Sequence, residues 1–312
     1  MVGYDPKKKL SELDFMFAGS ASGVITRLLC QPLDVLKIRF QLQVEPIERN
    51  VILNSKYRTI IQATKLIFRE EGAKALWKGH VPGQLLSISY GLAQFTTFEV
   101  LTKESAKLGI TKKWDIIVHF MCGLVSGCTA TFVSFPFDVV RTRLVAQSEG
   151  NKIYKGVPNA FYQIVKQEGP LVLYRGMLPT FMQVGPHAGA QFMFYKIFDN
   201  LYKNTVDSDK TTLASSTVSG SLAGFFAKIV VYPFDLIKKR LQIQGFNRGD
   251  MFGENFVCNG MINCMSRIYE REGYRGYFKG LNASLLKAVA TSALYFSSYE
   301  MVCEAIQVYR TA

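Results

Sequence analysis

Three copies of one octet constrain this chain more than any other feature. "PLDVLKIR" runs from Pro32 to Arg39, "PFDVVRTR" from Pro136 to Arg143 and "PFDLIKKR" from Pro233 to Arg240. Each sets an acid two residues after a proline, and bases five and seven after it. One such octet would mean little, because short patterns arise by chance. Three of them, 104 and 97 residues apart, point to internal repetition.

A second marker follows each proline: acid, glycine, four free positions, aromatic, base, glycine. Its copies are "EGAKALWKG" (Glu71 to Gly79), "EGPLVLYRG" (Glu168 to Gly176) and "EGYRGYFKG" (Glu272 to Gly280). A G-x-x-x-G pair precedes each proline, at Gly19 and Gly23, Gly123 and Gly127, and Gly220 and Gly224. Such pairs read as close helix packing. Three markers in one order, three times, make a tandem triplication of roughly 1–107, 108–206 and 207–312.

The distribution of charge argues for a membrane. Ile116 to Phe137, His80 to Phe98 and Gly176 to Tyr195 contain no Asp, Glu, Lys or Arg, and a spanning helix needs about 20 such residues. Three further candidate spans, near Phe15 to Phe40, Thr211 to Arg240 and Leu281 to Tyr299, are interrupted by charges. Intramembrane charges usually face a bundle interior or a water-filled path, so the interruptions mark function. The alternative is a soluble protein with apolar core helices.

The net charge of +13 lies wholly in three segments: +5 between Lys37 and Lys78, +4 between Arg141 and Arg175, and +4 between Lys238 and Lys279. These must share one side of a membrane, and six spans then put both termini on the other. By the positive-inside rule the basic side is the cytoplasm or its topological equivalent, which includes the mitochondrial matrix. Nucleic-acid binding is a weak rival, because no recognition motif accompanies the charge. "MVGYDPKKKL" has neither the apolar stretch of a secretory signal nor the Arg-rich character of a transit peptide, so targeting is expected to be internal. The six cysteines form no CxxC pair and no His/Cys metal spacing, so no metal site is expected. No nucleophile or acid pair suggests an enzyme.

The triplicated P-x-[DE]-x-x-[KR]-x-[KR] and [DE]-G-x4-[WYF]-[KR]-G motifs resemble those of the mitochondrial carrier family over almost the whole chain. The resemblance implies an all-α membrane protein of six spanning helices in a pseudo-threefold bundle. It adds three short matrix helices and alternating access to one central site in the inner membrane. "KIRFQLQ" at Lys37 to Gln43, "WKGHVP" at Trp77 to Pro82, "KKRLQ" at Lys238 to Gln242 and "SLLKA" at Ser284 to Ala288 narrow it to members that carry a coenzyme diphosphate.

Residues three apart on a helix share a face, so Asp34 and Lys37 point one way, as do Asp138 with Arg141 and Asp235 with Lys238. The family pattern pairs Asp34 with Arg141, Asp138 with Lys238 and Asp235 with Lys37 across three helices, a gate that closes the matrix side where the prolines bend the helices. Gln41 and Gln242 stand where the family has bracing glutamines, and Val145 takes the matching place in the second repeat. The gate on the opposite side is expected to be weak: Glu99 meets Thr102 where a base belongs, Lys196 reverses the charge, and Glu300 meets Cys303.

Seven residues before each gate acid, two helical turns along the same face, lie Arg27, Thr131 and Lys228. Seven after each base-glycine pair lie Leu86, Gln183 and Lys287, which the resemblance implies are substrate contacts. Arg27, Lys228 and Lys287 have no acid on either level, and clustered bases suit a diphosphate; snorkelling is the alternative for any one of them. Gly79, Gly176 and Gly280 begin helices whose N-terminal amides can hold phosphate, and the resemblance implies cardiolipin there. The expected function is exchange of an organic diphosphate for another phosphorylated compound such as a nucleotide, by a monomer. A carrier for nucleotides or a coenzyme such as CoA is the near alternative, and a non-transporting membrane scaffold the distant one.

Overall fold

A computed structural model describes residues 11–44, 56–107, 115–147, 152–205, 212–246 and 257–311. The N-terminal decapeptide considered above for targeting lies outside these residues. Six helices are long: α1 (Glu12–Leu42), α3 (His80–Lys107), α4 (Asp115–Ala146), α6 (Met177–Thr205), α7 (Thr212–Gln242) and α9 (Leu281–Thr311). Each has 28 to 32 residues, or roughly 42 to 48 Å at 1.5 Å per residue. Three are short: α2 (Ile60–Glu71), α5 (Val157–Glu168) and α8 (Met261–Gly276).

Local chemistry accounts for the boundaries. Ser11 opens α1 with a reciprocal cap: Asp14 N donates to Ser11 Oγ at 3.4 Å, and Ser11 N donates to Asp14 Oδ2 at 2.8 Å. The short helices are amphipathic, burying one i, i+4 pair each: Ala63 and Ile67, Ala160 and Ile164, Cys264 and Ile268. The glycines of the second motif explain its form. Gly72, Gly169 and Gly273 have φ of 80°, 89° and 64°, while Gly79, Gly176 and Gly280 have 74°, 88° and 80°. A side chain is disfavoured in that left-handed region. The chain therefore leaves each short helix by one glycine and enters the next long helix by another.

Helices α1, α4 and α7 continue through Pro32, Pro136 and Pro233. A proline within a helix leaves the carbonyl four residues earlier without its usual donor. In the first repeat Trp77 Nε1 donates to that carbonyl, Leu28 O, at 3.0 Å. The aromatic at the same place in the second repeat, Tyr174, stacks on Phe132 with centroids 4.7 Å apart. The motif's aromatic thus packs on the proline-containing helix of its own repeat, α1 or α4.

The long helices contact one another in circular order, α1–α3–α4–α6–α7–α9 and back to α1, and α1, α4 and α7 also touch in pairs. Burial is inverted relative to a water-soluble protein. Arg39, Arg143, Arg240, Gln41 and Gln242 are fully enclosed, while Leu92, Phe95, Phe192 and Met301 are more than 60% exposed. An apolar exterior of this extent is the signature of a lipid-facing surface.

Among the described residues, three helices are apolar and long enough to cross a membrane, over Leu13–Leu42, Ile117–Ala146 and Val218–Gln242. These belong to α1, α4 and α7. Two of them carry gate charges through segments that the sequence marked as interrupted. The charge-free stretches of α3 and α6 fall short of that apolarity because Gly, Ser, Thr, Gln and His dilute them.

The G-x-x-x-G pairs do not pack as expected. A Cβ built on Gly23, Gly123, Gly127, Gly220 or Gly224 would meet nothing within 4 Å, and at Gly19 would meet only Tyr295 Oη at 3.9 Å. These glycines line open space.

Candidate functional site

The three octets converge where α1, α4 and α7 meet. Arg141 Nη2 lies 2.7 Å from Asp34 Oδ2, Lys238 Nζ 2.9 Å from Asp138 Oδ2, and Lys37 Nζ 2.7 Å from Asp235 Oδ2. Each acid meets a base of a different repeat. Arg141 reaches its partner across Gly79 and Gly83, where a Cβ would approach Arg141 Cγ at 3.1 Å and Arg141 Cζ at 3.2 Å.

The surroundings of the three pairs differ. Gln242 braces the second: its Nε2 donates to Asp138 Oδ2 at 2.8 Å, and its Oε1 accepts from Thr142 Oγ1 at 2.7 Å. Gln41 departs from the expected brace. Its Nε2 donates to Tyr232 Oη at 3.1 Å, and that phenol in turn donates to Lys279 O at 2.7 Å. In the first pair the bracing group is Gln31, whose Oε1 accepts from Arg141 Nη2 at 3.2 Å. Neither Gln31 nor Tyr232 stands out in the octets, because both lie one residue before the proline.

The second base of each octet has a separate task. Arg39 Nη1 and Nη2 donate to the two oxygens of Glu71 at 2.5 and 2.8 Å. Arg143 grips Glu168 in the same forked manner, and Arg240 grips Glu272 at 2.5 and 2.9 Å. The base of the second motif completes each cluster. Lys78 lies 2.6 Å from Glu71, Arg175 3.5 Å from Glu168, and Lys279 pairs with Glu272. Bidentate geometry explains why this base is arginine in all three copies. Burial opposes the charge of Glu71, but the bonds from Arg39 and Lys78 prevail and hold its carboxyl below the ordinary value. Sequence spacing alone missed this linkage between the motifs, though the invariant acid and arginine were its visible signal.

These clusters also hold chain ends across repeats. Arg143 Nε and Nη2 donate to Gln242 O and Gln244 O, and Arg240 Nε and Nη2 to Gln41 O and Gln43 O. Cations thus cap the C-terminal carbonyls of the neighbouring long helix, where the helix dipole favours them. Lys78, Arg175 and Lys279 are consequently committed to protein partners. Gly79, Gly176 and Gly280 stand immediately before α3, α6 and α9. These glycines are also tightly packed, with a Cβ on Gly176 falling 2.9 Å from Lys238 O.

On the same helices as the gate acids, Gly23, Gly127 and Gly224 face open space. Gly23, Arg27 and Asp34 follow one another at four and seven residues, as do Gly127, Thr131 and Asp138, and Gly224, Lys228 and Asp235. This spacing places each trio on one helix face. Arg27 donates to Gly83 O, and Thr131 Oγ1 bonds back to Gly127 O at 2.8 Å. Lys228 has no ion pair among the described residues. Lys287 corrects the expectation of a cation without an acid: its Nζ lies 2.5 Å from Asp34 Oδ1. Its long side chain reaches from the contact level to the gate, a distance that helix spacing does not reveal. Leu86 and Gln183 are half-buried.

Toward the far ends of α3, α6 and α9, Glu99, Lys196 and Glu300 are exposed. Glu99 pairs within its own helix with Lys103 at 2.6 Å. No ion pair links these three positions among the described residues.

A circle of long helices, apolar outside, with charged residues on an inner face closed at one end by ion pairs, defines a membrane transport protein. The chain belongs to the mitochondrial carrier family: the description "Mitochondrial carrier protein" matches residues 8–107, 112–206 and 209–310. It is 43% identical to the mitochondrial thiamine pyrophosphate carrier of Bos taurus, over 100% of this chain and 99% of that protein. It is 42% identical to the Homo sapiens protein of the same name, over 97% and 96%. It is 36% identical to mitochondrial thiamine diphosphate carrier 2 of Zea mays, again over 97% and 96%.

Proposed function

We propose that this protein exchanges thiamine pyrophosphate for another phosphorylated metabolite, a nucleotide, across the mitochondrial inner membrane. The observation that carries the reading is the excess of cations on the inner face: Arg27, Lys228 and Lys287 stand above an already paired ring. Full-length similarity to carriers named for this coenzyme supports it. Three repeats, 1–107, 108–206 and 207–312, form one transport domain. Their six long helices span the membrane with pseudo-threefold symmetry and both termini toward the intermembrane space.

In this mechanism the cavity faces the intermembrane space and the Asp34, Asp138 and Asp235 pairs close the matrix side. Arg27, Lys228 and Lys287 take the diphosphate, while Thr131, Gln183 and Leu86 contact the rest of the substrate. A diphosphate that engages Lys287 competes with Asp34 for it, so binding loosens the first ion pair and offsets part of the cost of opening. Glu99, Lys196 and Glu300 form the weaker gate on the other side. The helix starts at Gly79, Gly176 and Gly280 hold cardiolipin by backbone amides, and the unit works as a monomer.

Uptake of labelled thiamine pyrophosphate into liposomes carrying the purified protein tests this. The liposomes are loaded with unlabelled thiamine pyrophosphate, a nucleotide or buffer. Uptake only against an internal phosphorylated substrate is expected. Nucleotide exchange without thiamine pyrophosphate uptake would overturn the substrate while leaving the carrier mechanism.

A further inference from the structure

The ring contains one cation more than its symmetry needs. Lys239 occupies the octet's seventh position, where the other repeats have Ile38 and Thr142, so the fold itself requires no charge there. Its side chain is 9% exposed. Its Nζ lies 2.9 Å from Asp138 Oδ1, 3.0 Å from Thr142 Oγ1 and 3.0 Å from Gln242 Oε1. Asp138 already has Lys238 at 2.9 Å and the Gln242 amide at 2.8 Å. One carboxylate therefore faces two ammonium groups, leaving a buried positive charge without its own counter-charge. Such an arrangement is costly and, for stability alone, an apolar residue would serve as well.

The partition of these groups between helices gives the surplus a use. Asp138 and Thr142 belong to α4, whereas Lys238, Lys239 and Gln242 all belong to α7. When that seam parts, α4 withdraws the carboxylate that Lys238 and Lys239 share, while Asp235, the ring acid on α7, stays paired with Lys37 of α1. Two adjacent ammonium groups and an amide then remain together on α7. The other seams release isolated cations: Lys37 on α1 and Arg141 on α4. We propose that Lys238, Lys239 and Gln242 form a matrix-facing anion subsite that exists only while the α4–α7 seam is open. It receives the phosphoryl end of the substrate before or after the central site holds it. This rests on the organic-diphosphate reading above. Two cations suit two phosphate charges, and the Gln242 amide supplies a further donor.

The alternative role for Lys239 is a simple lock, and sidedness separates the two. Thiamine pyrophosphate exchange is measured in proteoliposomes of one established orientation, varying substrate on one face at a time, for the wild type, Lys239→Ile, Lys239→Gln and Lys239→Arg. Lys239→Gln keeps a donor for Asp138 and covers the case in which Lys239→Ile does not fold. The subsite predicts a KM at the matrix face raised about tenfold in the Ile and Gln variants. KM at the other face should stay within about twofold, and Lys239→Arg should restore most of the loss. Equal changes at both faces, or none at either, would overturn the subsite while leaving the carrier reading intact. Absence of exchange by the wild type would overturn the substrate reading and the subsite together.

Discussion

The two ends of the bundle are built on opposite terms. At one end Asp34, Asp138 and Asp235 are largely enclosed and each meets a base from another repeat. At the other, Glu99, Lys196 and Glu300 stand exposed, and Glu99 finds a partner only one turn along its own helix. A buried pair loses about 3–5 kcal/mol when one member is removed, whereas exposed pairs contribute about 0–1 kcal/mol. The difference shows which end carries the energetic weight of the observed conformation. It also shows why counting charges in a motif is a poor guide to the strength of a gate.

The largest effect is expected at the arginine clusters beneath the enclosed end. Arg240→Ala would leave Glu272 with Lys279 alone and release the Gln41 and Gln43 carbonyls at the end of α1, lowering stability by about 3 kcal/mol. Thermal unfolding in detergent would read this as a large fall in Tm. Next comes Lys287→Ala, which should abolish diphosphate exchange while the protein still folds. Retention of full exchange would remove Lys287 from the site.

Asp34→Ala should free both Arg141 and Lys287 and open a path from the matrix face. Cysteines placed singly on the inner face would then gain labelling from that side. In the wild type they should label from the intermembrane-space side, and the reverse preference would break the comparison between the ends.

A smaller, pH-dependent effect belongs to Glu71, which Arg39 and Lys78 hold below its usual value near 4.5. A carboxyl depressed in the folded state stabilises above the unfolded value and loses that contribution as pH falls through the folded value. The Tm gap between wild type and Glu71→Gln should therefore be full near neutrality and narrow below about pH 4.5. Smallest of all, Glu99→Gln should leave the Tm unchanged within the scatter of the measurement. A larger loss would mean that the exposed end carries more weight than its geometry indicates.

Repetition made most of the framework legible. Three octets gave the faces of α1, α4 and α7, and the face of a helix is set by spacing alone. Spacing does not give reach. Lys287 extends to Asp34, and Lys239 bends to an acid already served by its neighbour; both depend on long side chains and on distances between helices. Nor does spacing say which of two donors arrives first. Gln41 meets the Tyr232 phenol instead of the Asp235 pair, and only the assembled seam decides that. The glycine pairs misled for a related reason. A small residue permits close approach but does not compel it, and here Gly127 and Gly224 face open space.

The three seams between α1, α4 and α7 are unequal. Between α4 and α7, Asp138 receives two lysines and Gln242, and Arg143 holds the end of α7. Between α1 and α4, Asp34 receives Arg141 with Gln31 beside the pair, while the Arg39 Nε is buried without a hydrogen bond. Between α7 and α1 a single lysine meets Asp235, Gln41 is turned to Tyr232, and Arg240 holds the end of α1. A threefold iris would need equal leaves. Here the α4–α7 seam is the most heavily bonded of the three, so the leaves are unequal.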